Sequence, residues 1–219
     1  MRKVLIATPA YDGRCEGWYC ISLVNSVRLA QFAGVYLHPV LMSYDALIQR
    51  ARNDLFRLAI EGDYDDMIWI DSDQGWEPEW IMELLDCDKN VVGGTARKKT
   101  DREELYAVKT KNLVEQDGLI KVEGVGFAFL KMSRKAYRAI WDNAPVYQNE
   151  GREGRMCCDV RIENGQLVGE DIVVMNRLRE HGMDVWLNPR MTCPHVGTKV
   201  WYGDFANYVR RLTKQKEAA

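Results

Sequence analysis

An α/β fold built on a largely parallel sheet is predicted by three observations. Short β-rich runs alternate with longer helical stretches along most of the chain. The run Met67-Ile68-Trp69-Ile70 is apolar at every position, as a strand covered on both faces requires. Pro9, Gly34 and Gly62 stand where strands and helices are expected to stop.

The elements follow in order. Residues 3–8 form the first predicted strand, ended at Pro9, and 11–17 a polar loop. Residues 19–32 place Ile21, Val24, Val27, Leu29 and Phe32 at helical spacing and stop before Gly34. A second strand spans 35–42 and a second helix 44–61, stopped by Gly62. The buried strand 67–70 precedes a third helix opened by Glu77-Pro78, since proline's missing N–H costs nothing in a first turn. A fourth strand covers 89–93. Asp117-Gly118, between 105–114 and 119–122, predicts a hairpin turn. A strand over 126–132 leads to Ser133, placed to cap a helix over 134–141. Residues 144–168 are polar, contain glycine and lack periodicity, which predicts a long functional loop or mobile flap. A helix over 170–181, a strand over 184–187 and a closing helix beyond Trp201 complete the chain.

Composition bounds the function. The chain has 219 residues, 47% of them apolar, enough for the core of one ordinary domain. Lys and Arg number 30 against 32 Asp and Glu, a formal charge of −2. That argues against a protein gripping nucleic acid through a broad basic surface, though a local basic groove stays open. No apolar run approaches the roughly 20 residues that span a bilayer. Met1-Arg2-Lys3 opens no secretory signal, so a cytoplasmic protein is expected, in the host cytoplasm if the source is viral or phage. Six cysteines without a CxxC pair suggest reduced structural thiols; the adjacent Cys157-Cys158 has no functional reading at this level.

Three features carry chemistry. In Ile70-Asp71-Ser72-Asp73, a buried strand ends in two carboxylates two residues apart. If the extension continues, alternation puts Asp71 and Asp73 on one side, beyond the strand's carboxyl end where α/β sheets bind ligands. Hard oxygens there suit Mg²⁺ or Mn²⁺, which can bridge a diphosphate. The plainer reading is a solvated acidic strand end. Gly169-Glu170-Asp171 enters a helix, where acids also simply complement the helix dipole. Pro194-His195-Val196-Gly197 holds a histidine that is either structural or a metal ligand partnering Asp73.

The order of these motifs, with Pro9-Ala10-Tyr11, the helix bearing Arg50, Arg52 and Asn53, and Gly124-Val125-Gly126-Phe127, resembles the small GT-A-fold glycosyltransferases. The likeness is to family-2-like enzymes of bacteria, phages and large DNA viruses, and covers roughly residues 3–200. It implies a single GT-A-like catalytic domain over 1–219, with a donor half over about 1–95, an acceptor half over about 96–200 and a C-terminal helix over about 201–219. It implies transfer of a sugar from a UDP or GDP sugar to a hydroxyl acceptor, with Mn²⁺ or Mg²⁺ as cofactor. By the resemblance, Pro9, Tyr11 and Asp12 hold the nucleobase and ribose, and Arg50 and Asn53 meet the nucleotide or its phosphates. Asp71, with Ser72 beside it, sits by the ribose or a metal-bound water. Asp73 ligates the metal, and His195 adds a contact to it. Asp171 is the base if the enzyme inverts, and Glu170 shapes the site. Gly124 and Gly126 let backbone approach donor or acceptor.

Trp76, beside the D-x-D, is the expected sugar or acceptor platform, whereas Trp69 and Trp186 are expected in the core. Residues 95–111 collect Arg97, Lys98, Lys99, Arg102, Lys109 and Lys111, which line an anionic path or merely form a solvated face. A glycan, a protein, a lipid head group or a hydroxymethylated DNA base would offer the acceptor hydroxyl. The rival enzyme is a sugar-nucleotide nucleotidyltransferase, for which Tyr11-Asp12-Gly13-Arg14 is a poor phosphate loop. The non-enzymatic rival is a sugar- or nucleic-acid-binding module on the same fold.

Overall fold

A computed structural model describes residues 1–101, 103–149 and 151–217; Arg102 of the basic segment lies outside the described residues. The chain opens with β1 (Arg2–Ala10), α1 (Gly17–Phe32), β2 (Val35–Ser43), α2 (Ile48–Glu61), β3 (Asp66–Ile70), α3 (Glu79–Asp86) and β4 (Val91–Ala96). Four short strands follow: β5 (Val108–Lys109), β6 (Glu115–Gln116), β7 (Leu119–Val122) and β8 (Gly124–Val125). Next come β9 (Phe129–Ser133), α4 (Arg134–Asn143) and two hairpins, β10 (Val146–Asn149) with β11 (Arg152–Arg155) and β12 (Arg161–Glu163) with β13 (Gln166–Val168). The chain ends with α5 (Glu170–Glu180), β14 (Val185–Cys193), the pair β15 (His195–Val196) and β16 (Val200–Trp201), and α6 (Phe205–Glu217).

The central sheet has eight strands in the order β2-β1-β3-β9-β4-β14-β7-β6. It is mixed rather than mostly parallel, which corrects the expectation. β1 pairs in parallel with β2 and β3, and β4 with β14. β9 enters antiparallel between β3 and β4, and β7 pairs antiparallel with β14 and β6. The cause lies between β4 and β9, where the described residues contain no helix. A parallel return needs a long crossover, usually helical; without one, β9 comes back in the opposite sense.

Alternation sorts the core into two layers. Leu5, Ala7, Met67 and Trp69 pack on one face with Phe56 of α2, Tyr137 of α4 and Val174 of α5. Val4, Ile6, Ile68 and Ile70 face the other way, onto Tyr19 of α1 and Ile81 and Leu84 of α3. Helices therefore cover both faces, and β3 is buried at every residue. In this sheet β9 and β14, from the expected acceptor half, lie between and beside strands of the expected donor half.

Local signals hold where chemistry fixes them. Ser133 Oγ accepts the Ala136 N–H at 3.3 Å and caps α4. Asp117 and Gly118 take φ of 52° and 79° and close the β6–β7 hairpin. The segment 105–114 is not the partner strand; only Val108–Lys109 is extended, and it pairs with β8. α2 begins at Ile48, not 44, because Tyr44 sits at φ 63° and Asp45 Oδ1 takes the Leu47 N–H at 2.9 Å. β14 runs on to Cys193 past a register shift after Leu187. Gly94 makes that possible, because a Cβ there would meet the Met191 carbonyl at 2.3 Å.

The expected flap is built differently. Residues 144–168 form two hairpins joined through an anchored stretch. Cys157 and Cys158 are fully buried. Asn53 Oδ1 accepts the Cys158 N–H at 2.7 Å, and Arg177 donates to the carbonyls of Met156 (2.7 Å) and Cys157 (2.5 Å). The cysteine pair is thus a buried anchor, and all six cysteines are free. No helix among the described residues is long and apolar enough to cross a membrane.

Candidate active site at the carboxyl ends of the parallel strands

The ends of β1, β3, β4 and β14 converge, so residues far apart in sequence meet. β1 delivers Pro9 and Tyr11, β3 delivers Asp71 to Asp73, β4 leads to Arg97 and Lys99, and β14 leads to His195. A cleft of about 370 Å³ opens there, lined by Pro9, Tyr11, Asp45, Asp71, Ser72 and Asp73 among others. That volume falls within the usual range for small-ligand sites, about 300–1,000 Å³. Tyr11 is 72% exposed, an available ring face at the cleft wall.

The two carboxylates of the D-x-D part company. The strand does not continue through Ser72: a turn follows Ile70, closed by Gln74 N–H on the Asp71 carbonyl at 3.2 Å. Asp71 turns to the buried Arg52, its Oδ1 3.2 Å from Nη2. Burial raises the Asp71 carboxyl above its usual value, against the pull of Arg52 and with the push of Asp73. Asp73 takes Lys99 Nζ at 2.6 Å and faces His195 Nε2 at 3.3 Å, both on Oδ2. Burial would raise Asp73 too, but the His195 and Lys99 hydrogen bonds prevail and lower it to about 2.

The base side joins through Arg52. Its Nη1 pairs with Glu170 Oε1 while its guanidinium lies 4.7 Å from the Phe127 ring centroid. Its Nε is buried with no hydrogen-bond partner among the described residues. Beside Glu170, Asp171 Oδ1 accepts the Ile172 N–H at 2.7 Å. Burial raises the Asp171 carboxyl; the Ile172 bond opposes this and the Glu170 charge adds to it. Arg52 therefore stands between two carboxylate groups, Asp71 with Asp73 on one side and Glu170 with Asp171 on the other.

Several expected residues lie elsewhere or do other work. Trp76 is 4% exposed, donates its Nε1–H to Ser26 Oγ at 2.9 Å and packs against Tyr19, so it is core and no platform. Asn53 clamps Cys158 rather than facing the cleft. Arg50 pairs with Asp45 at 2.8 Å on the surface side of α2. Asp12 turns back on its own loop, accepting the Arg14 N–H at 3.1 Å. Gly124 makes room for Ile172 of α5, where a Cβ would meet Cδ1 at 2.7 Å. A Cβ on Gly126 would stand 3.4 Å from Asp171 Oδ2, so this glycine does border the carboxylate. Sequence reasoning named Arg52 only as a neighbour of Arg50 and Asn53, and Lys99 only within the basic segment, and assigned neither a carboxylate partner. A charged residue on the buried stripe of an amphipathic helix was the available signal for Arg52.

The donor set can be tested for a divalent cation. Among the described residues no group of three or more His, Cys, Asp or Glu side chains is preassembled. Asp73 and His195 do face one another. His195 Nδ1 lies 2.8 Å from the Arg97 carbonyl and must donate to it, which leaves Nε2 as the face turned to Asp73. One carboxylate and one imidazole, completed by phosphate and water oxygens, fit Mg²⁺ or Mn²⁺.

The likeness to known proteins is one of fold. No family model and no curated protein matches this sequence. The chain is similar in fold to A197 from STIV. The two share 17% identity, the match covers 90% of this chain and 86% of that one, and the TM-score is 0.57.

Proposed function

We propose that this protein is a glycosyltransferase on a GT-A-type sheet, moving a sugar from a UDP or GDP sugar to a hydroxyl acceptor. The observation that carries the reading is the meeting of Asp73, which lines the cleft, with His195 at 3.3 Å, while the neighbouring Asp71 is joined through Arg52 to Glu170. Metal-side and base-side carboxylates do different work in sugar transfer, and Arg52 binds the neighbour of each, Asp71 beside Asp73 and Glu170 beside Asp171.

Asp73 and His195 would hold Mn²⁺ or Mg²⁺. When bound, the metal supplies Lewis-acid stabilisation of the departing diphosphate. Asp73 is held ionised by His195 and Lys99, and a bound cation would take the place of the Lys99 ammonium. Tyr11 and Pro9 offer the nucleobase an apolar wall on the β1 side of the cleft. Arg52 fixes Glu170 and Asp71 in place and restrains their mutual repulsion. Asp171 would accept the acceptor's hydroxyl proton; a carboxylate whose proton affinity is raised by burial is the better base. In this reading the reaction inverts the sugar.

Incubation with UDP and GDP sugars and Mn²⁺, with product chromatography, tests the proposal. Free nucleoside diphosphate is expected. Nucleoside triphosphate and sugar 1-phosphate, formed only when pyrophosphate is added, would instead identify the rival nucleotidyltransferase, and tight nucleotide binding with no product would leave a binding module.

A further inference from the structure

We propose that Trp18 and Tyr202 form a surface carbohydrate-binding subsite beside the Asp73–His195 pair, where a neutral sugar acceptor lies against their rings. The role as acceptor site rests on the transferase reading above, whereas sugar binding itself does not. The two side chains come from opposite ends of the chain, Trp18 from the first turn of α1 and Tyr202 from the residue after β16. Their rings meet edge to face, with centroids 6.4 Å apart and planes at 80°. Both are exposed, at 49% and 58%.

Each is tied to the backbone around the Asp73–His195 pair. On one side the Glu16 N–H donates to the Ser72 carbonyl at 2.9 Å, which fixes the start of α1 to the D-x-D turn. Gly75 backs Trp18 directly, since a Cβ on that glycine would lie 3.2 Å from Trp18 Cβ. On the other side the Tyr202 carbonyl accepts from Arg97 Nη1 at 3.2 Å, and the Arg97 carbonyl in turn receives the His195 Nδ1 proton. Trp201, next to Tyr202, is the cross-strand partner of His195. The aromatic pair is thus held beside the same two residues that would bind the metal.

Two rings near a right angle make a corner. A pyranose can lay its C–H face on one ring and its edge against the other, while the phenol hydroxyl offers a hydrogen bond. The surrounding charge favours a neutral ligand. Lys99 is bound to Asp73, Lys199 to Asp101, and Arg97 to the carbonyls of Tyr202 and Thr100. A nucleic-acid strand gains its affinity by pairing cations with phosphates, and without metal Lys99 and Lys199 are already paired with carboxylates while Arg97 holds the backbone. A sugar face requires none.

Saturation-transfer NMR with neutral gluco-, manno-, galacto- and chito-oligosaccharides, without donor or metal, tests the subsite on the wild-type chain and on Trp18→Ala, Tyr202→Ala and Trp18→Phe. At least one oligosaccharide series is expected to bind the wild type. Affinity should fall tenfold or more in the two alanine variants and recover in large part in Trp18→Phe. Thermal melts check that the variants fold, and calorimetry with UDP or GDP and Mn²⁺ should be unchanged in all three. No binding to the wild type, equal binding in the alanine variants, or preferential binding of a hydroxymethylcytosine oligonucleotide would each overturn the proposal. Because sugar and nucleotide are read separately, failure of the transferase reading and failure of this subsite are distinguishable.

Discussion

Lys99 and His195 approach the same atom, Oδ2 of Asp73, at 2.6 and 3.3 Å. The Lys99 ammonium therefore stands where a divalent cation bound by Asp73 would have to compete. Lys99→Met is expected to raise Mn²⁺ affinity several-fold in the absence of nucleotide, read by calorimetry. An unchanged or weaker affinity would show that Asp73 and His195 do not hold the ion.

The converse substitution acts on nucleotide. Asp73→Asn removes the charge while preserving shape. Mn²⁺-dependent binding of UDP or GDP should weaken by at least tenfold, with the far-ultraviolet circular dichroism retained. Chelator-insensitive binding at wild-type strength would end the metal reading.

Arg52 is the buried cation on which the half-buried Asp71 and Glu170 depend, its side chain only 5% exposed. Arg52→Met leaves the half-buried Asp71 and Glu170 without their partner, a change expected to cost about 1–3 kcal/mol, between the worth of a surface pair and of a buried one. Burial already raises the Asp71 carboxyl, and without the opposing pull of Arg52 it rises further, so Asp71 protonates still more readily in the folded state than unfolded. The deficit should therefore be full at neutral pH and shrink as pH falls through the carboxylate range. Urea melts at pH 7 and pH 4 measure it; a deficit that does not vary with pH would point to lost packing on Phe127 alone.

Asp171 gives a sign opposite to that of a helix-dipole acid. Burial raises its carboxyl, so ionisation is disfavoured in the folded chain. That cost is absent below the ordinary carboxylate value, about 3.9, where both states are protonated, and is fully present above the raised value. Asp171→Asn still accepts the Ile172 N–H and should melt no lower than wild type at pH 7, with any gain vanishing at low pH. Transfer should nevertheless fall by about 10²-fold or more. A lower melting temperature with normal turnover would return Asp171 to a dipole role and make Glu170 the next candidate base.

Asn53 predicts the behaviour of the 144–168 segment. The anchor at 156–158 should be protected from hydrogen exchange without ligand. Asn53→Ala should expose it and destabilise the chain by about 1–3 kcal/mol, since the buried Cys158 N–H loses its acceptor. Fast exchange at 156–158 in the wild type would restore a mobile flap.

The sequence by itself determined the elements whose cause is local: the β3 run that can only be buried, the Ser133 cap, the Asp117-Gly118 turn and the stops at Gly34 and Gly62. It also placed Asp71 and Asp73 at the carboxyl end of a strand, because that needs only an apolar run followed by acids. Tertiary structure decided the rest. The sense of β9 depends on what the chain between β4 and β9 fails to form, which no window of residues around β9 contains. Trp76 looked like a platform because it follows the D-x-D, but the turn after Ile70 swings it inward to Ser26 while Trp18, from an earlier helix, takes the surface beside it. Arg52, hidden between the more conspicuous Arg50 and Asn53, became the link between Asp71 and Glu170 only once α2 had packed beneath the sheet's end. Contacts of that kind are chosen by which helix face is buried and against what, and burial is a property of the assembled layers rather than of neighbours in sequence.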